Sequence, residues 1–76
     1  MYVELLDRKI KREIQSEMRF VPGIDPGDVT VAVHDGVATL IGHVDRLSCR
    51  LAAEELARRV PCVRSVSNQV EVRFPV

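Results

Sequence analysis

A chain of 76 residues holds one domain, 1–76, with a small core and no room for a large buried active-site cavity. Eleven Lys and Arg balance eleven Asp and Glu, which argues against general nucleic-acid binding and against a strongly basic membrane anchor. The balance is uneven: residues 1–20 are net +1, residues 21–45 carry four acids and no Lys or Arg, and residues 46–76 are net +3.

The first segment is predicted as a helix over 3–19. Val3, Leu6, Ile10, Ile14 and Met18 recur at spacings of three and four, one stripe at helical period. Arg8, Lys9, Lys11 and Arg12 fall off that stripe. Glu4–Arg8 and Asp7–Lys11 are i,i+4 pairs in the stabilising orientation, so the basic cluster reads as a solvated, self-paired face. Acids stand where the basic part of a leader would be, and no run approaches the ~18 apolar residues of a spanning helix. The chain as given is therefore expected in the cytoplasm, or in the periplasm if it is a domain of a longer exported protein. Pro22-Gly23 and Asp25-Pro26-Gly27 end the helix and turn the chain.

Two strands follow. Val29, Val31 and Val33 alternate with Thr30, Ala32 and His34; Ala38, Leu40, Gly42 and Val44 alternate with Val37, Thr39, Ile41 and His43. Asp35-Gly36 between them is a strong signal for a two-residue hairpin turn. That turn sets Val33 opposite Ala38, Val31 opposite Leu40 and Val29 opposite Gly42. Every pair on that face is apolar or small, so turn chemistry and pattern agree independently. Gly42 is expected to leave a gap where a helix approaches the sheet.

Asp45 is expected to cap a second helix over 46–60. Its buried stripe is Cys49, Ala52, Ala53, Leu56, Ala57 and Val60, mostly small, and Pro61 ends it. A last strand places Val70, Val72 and Phe74 inward and Gln69, Glu71 and Arg73 outward. Helix two makes a crossover from the second strand to the third, which should therefore run parallel. The expected fold is α+β: α-β-β-α-β, a three-stranded mixed sheet with two helices packed on one face and the other face open.

The helix separates the two cysteines. A rise of ~1.5 Å per residue puts Cys49 and Cys62 on the order of 17–20 Å apart, beyond the ~7 Å that a disulfide allows. Two unpartnered thiols fit a reducing compartment. No Cys/His spacing suggests zinc, and His34 and His43, separated by about 20 Å along the hairpin, cannot share one ion. No metal or other cofactor is expected. There is no phosphate loop and no nucleophile elbow, so the chain is not expected to be an enzyme. Thiol chemistry at Cys62 is the one enzymatic alternative.

The ordered residues resemble the BON domain family over essentially the whole chain. The resemblance is carried by helix one with Ile10, Ile14 and Met18, by Val21-Pro22-Gly23-Ile24-Asp25, and by the run from Val31 to Val44 containing Asp35-Gly36 and Thr39-Leu40-Ile41-Gly42. It continues through Ala52-Ala53 with Ala57 and through Val63 to Val72 with Asn68. The family usually has Gly where Cys62 stands and a β-branched residue where Ala38 stands; the first departure touches a tight turn after helix two. The resemblance implies a non-enzymatic binding module, with no catalytic residues to carry over. It implies association with phospholipid membranes or with other proteins, as in osmotic-shock proteins.

Leu47 and Leu51 lie some 160–200° from the buried stripe of helix two at ~100° per residue, ringed by Arg50, Glu54 and Arg58. A small domain has no folding reason to expose such a pair. Leu47, Arg50, Leu51 and Arg58 are therefore the expected contact residues. The partner would be membrane phospholipid, with a protein-interaction or self-associating module as the alternative; Leu5 is off-stripe on helix one in the same way.

Overall fold

The computed structural model describes residues 2–74, with side chains from Glu4 onward. Helix α1 spans Tyr2–Met18. It buries Ile10, Ile14 and Met18, with Leu6 partly covered; the side chain of Val3 lies outside the described residues. Two tight turns unwind it, Phe20 N–H to Glu17 C=O (3.1 Å) and Val21 N–H to Met18 C=O (3.2 Å).

Strands β1 (Val29–His34), β2 (Val37–Val44) and β3 (Ser65–Val72) form one sheet with β2 in the middle. The hairpin register is the one the turn dictates: Val33 faces Ala38, Val31 faces Leu40 and Val29 faces Gly42. Asp35 (φ 50°) and Gly36 (φ 78°) both take positive φ, the type I′ geometry that matches strand twist. β3 runs parallel to β2, with Gly42 beside Val70 and Val44 beside Val72.

Helix α2 spans Leu47–Arg59 and buries Cys49, Ala53 and Ala57. Both helices lie on the same sheet face. Ile14, Val31 and Leu40 are the largest fully enclosed side chains; each contributes about 1.5–3 kcal/mol of apolar burial. The small stripe of α2 lets it settle close to the sheet. α2 ends because Val60, ahead of Pro61, is forced into extended backbone (ψ 129°).

Several local expectations need correction. Asp45 is not the cap of α2: Arg46 is, in extended conformation and with no side-chain cap bond. Gly42 does not make room for a helix. A side chain there would meet the backbone oxygen of Asp28 at 1.9 Å, so the close approach is by the residue that leads into β1, Asp28, whose C=O accepts His43 N–H at 3.1 Å. Phe74 is not inward: β3 ends at Val72 and Phe74 is 77% exposed, past the end of the sheet. Cys62 keeps the tight turn despite its side chain, at φ 73°.

Candidate functional site

The outward face of α2 is built by helical angle alone. Relative to Leu47, Arg58 and Leu51 fall within about 40° at 3.6 residues per turn, while Arg50 lies some 60° to the other side. Leu47 is 54% exposed and Leu51 51%. Arg58 reaches back to Glu54 (3.3 Å), and Arg59 to Glu55 (3.0 Å), i,i+4 pairs that keep this face charged and solvated around the leucines.

Arg50 behaves differently from Arg58. Its Nε donates to Val70 C=O (2.9 Å) and its Nη2 to Asn68 C=O (3.3 Å). Asn68 answers, donating from Nδ2 to Arg50 C=O (3.0 Å) while its Oδ1 accepts Val70 N–H (3.1 Å). The pair stitches α2 to β3. Of the four expected contact residues, Leu47, Leu51 and Arg58 thus share one exposed stripe, and Arg50 sits at its margin with most of its guanidinium engaged by the fold. Leu5 is 64% exposed but lies towards the opposite end of the domain, near the hairpin turn.

Among the acids of α1, Asp7 turns inward and does not form the surface pair with Lys11 that its spacing predicts. Asp7 is 9% exposed; its Oδ2 accepts Asp35 N–H (2.9 Å) and its Oδ1 accepts Gly36 N–H (3.0 Å). One carboxylate therefore holds both amides of the hairpin turn. Neither Glu4–Arg8 nor Asp7–Lys11 closes as an ion pair among the described residues. Twenty-eight residues separate Asp7 from the turn, and only the pairing of helix and hairpin reveals the contact.

His34 lies 3.3 Å from Asp35 and His43 3.7 Å from Asp28, each on its own part of the sheet. Asp7, His34 and Asp35 each bring one ligand-type atom within 4.8 Å of the others. Both Asp7 oxygens are already taken by the turn amides, and the other two side chains face solvent, so the grouping is an anchored turn. Cys49 is buried, its thiol 3.7 Å from Pro22 C=O; Cys62 is exposed, and both are free. No helix of the described residues is long and apolar enough to cross a membrane.

The open sheet face carries Val37 (37% exposed) and Ile41 (47%) among Thr30, Thr39, Gln69 and Glu71. The BON domain model matches residues 6–73, nearly the whole chain. No curated protein matches it.

Proposed function

The chain belongs to the BON domain family, a non-enzymatic family of binding modules, and we propose that it associates with the surface of phospholipid membranes. The observation that carries this reading is the Leu47–Leu51 pair. Two half-exposed leucines one turn apart on an outward helix face keep apolar surface in water that nothing among the described residues covers. The free thiols fit the cytoplasmic side of such a membrane.

The attachment is shallow. With no spanning helix among the described residues, binding by this domain rests on a few inserted apolar side chains and on nearby guanidinium groups facing anionic head groups. Arg58 supplies one such group in a weak surface pair.

Co-sedimentation with vesicles containing anionic lipid at low salt tests the proposal. Wild-type protein should pellet with the vesicles and Leu51→Asp should stay largely in the supernatant. If both remain in solution, the membrane reading is wrong. The open face, with Val37 and Ile41 exposed, favours a second reading as a protein-interaction or self-association module. Sedimentation over a wide concentration range separates them, since a strict monomer at high concentration counts against self-association.

A further inference from the structure

Among the described residues, the largest exposed apolar side chains are not on α2. Phe20 is 80% exposed and Phe74 77%. They are 54 residues apart in sequence, yet the fold brings their segments to one end of the domain. The 20–23 loop lies on the first turn of α2: Cys49 Sγ is 3.7 Å from Pro22 C=O, and a side chain at Gly23 would stand 2.8 Å from the same sulfur. Arg73 N–H donates to Val44 C=O at 2.8 Å, which sets Phe74 just past the end of β2, beside the residues that open α2. Leu47 belongs to that first turn. Three segments thus carry Phe20, Leu47 and Phe74 to a single pole.

We infer that this pole, and not the whole length of α2, is the part that enters the bilayer interface, so that the domain attaches end-on through Phe20, Leu47 and Phe74, with Leu51, one turn and about 6 Å further along α2, at the rim of the contact. The inference rests on the membrane reading and gives it an orientation. Shape and area favour a lipid surface over a second copy or another protein. The three side chains come from separate segments at the end of the domain. Taking on the order of 150 Å² for each phenylalanine and about 100 Å² for Leu47, the pole offers about 400 Å². A stable protein interface needs roughly 800 Å² from each partner. A few isolated apolar anchors are what an amphipathic interface accepts. Arg19 and Arg46, exposed and without an ion-pair partner among the described residues, stand beside Phe20 and Leu47 in the chain, where head-group phosphates would lie. Asp25 and Asp45 share the pole, so apolar insertion rather than net charge holds the domain there. Arg58, eleven residues beyond Leu47 and therefore about 16 Å further along the helix, stays out of contact.

The chain has no tryptophan, so single tryptophans report position cleanly. Phe20→Trp, Phe74→Trp and, at the far end, Leu5→Trp would be mixed with phosphatidylcholine–phosphatidylglycerol vesicles, with and without brominated acyl chains. The first two should shift to the blue and be quenched; the third should not. Phe20→Ser with Phe74→Ser should weaken vesicle partitioning at least tenfold while the circular-dichroism spectrum is kept, and Arg58→Ala should change it less than twofold. If wild type binds, Leu51→Asp abolishes binding and the double serine variant binds within twofold of wild type, the end-on inference is overturned and the membrane reading stands. If wild type does not bind at all, both fail together.

Discussion

Asp7→Ala removes the single carboxylate that holds the hairpin turn to α1. In the native fold Gly36 N–H is buried against Asp7 Oδ1 at 3.0 Å, and the partly buried Asp35 N–H meets Oδ2 at 2.9 Å. Alanine leaves both donors without a partner. A buried amide stripped of its acceptor costs about 1–3 kcal/mol, and the partly buried one costs less because water reaches it, so the expected loss is about 3 kcal/mol. A domain of this size holds only about 3–5 kcal/mol in all. With a urea slope near 1 kcal/mol per molar, the unfolding midpoint should fall by about 3 M, enough to leave the variant close to unfolded in buffer. Asp7→Asn keeps one acceptor but turns an NH₂ towards the second amide, and should lose about 1–2 kcal/mol. Glu4→Gln, which changes the charge near the same helix end without touching the turn, should lose no more than about 0.5 kcal/mol and so measures the helix-dipole share. Hydrogen exchange gives a local readout, with Gly36 N–H protected in wild type and fast in the asparagine variant if that amide loses its partner. An Asp7→Ala protein within about 0.5 kcal/mol of wild type would refute the clamp.

Three further outcomes follow from the backbone. Gly42→Ala should lose about 3 kcal/mol or more, since its φ of 143° is strained for a side chain and the added carbon would overlap the Asp28 carbonyl; a stable, well-folded variant by urea titration would show that the start of β1 can move. Cys62→Gly should gain about 0.5 kcal/mol, because relief of about 1 kcal/mol at φ 73° outweighs the added freedom of the unfolded chain. Cys62→Ala, which keeps the strain, should be near neutral, and equal midpoints for the two would contradict this. Arg46→Ser supplies the cap that α2 lacks and should raise stability by about 0.5–1 kcal/mol in thermal melts, with no gain if the first turn is already satisfied by solvent.

The sheet was legible because independent signals coincide. Asp35-Gly36 fixes a turn, the turn fixes a register, and the register places Val29, Val31, Val33, Ala38 and Leu40 on one face without further choice. The parallel third strand came from the handedness of crossovers and the helical stripe of α2. What stayed hidden depends on approaches that have no period. Asp7 had a plausible local partner in Lys11, and only tertiary docking of α1 sets it against a turn 28 residues away. At Gly42 the sequence shows an absence of side chain but not what occupies the space. Phe74 continues the alternation of Val70 and Val72 on paper, although the sheet has already ended. The Leu47–Leu51 stripe was visible from helical angle, but the pole with Phe20 and Phe74 was not, because its members share no element. Arg50 looked like part of the charged ring, yet some 60° of rotation away from Leu47 aims it at β3 instead.

That rotation bears on how the protein behaves at high concentration. A strand at the rim of a sheet presents a row of unmatched amides and carbonyls on which another chain can grow. Along β3, Arg50 occupies the carbonyls of Asn68 and Val70, and the Asn68 side chain occupies the Val70 amide. The helix thus reaches over and blunts its own sheet. Replacing Arg50 would lay bare a template for strand addition, and the variant would sediment with vesicles and without them.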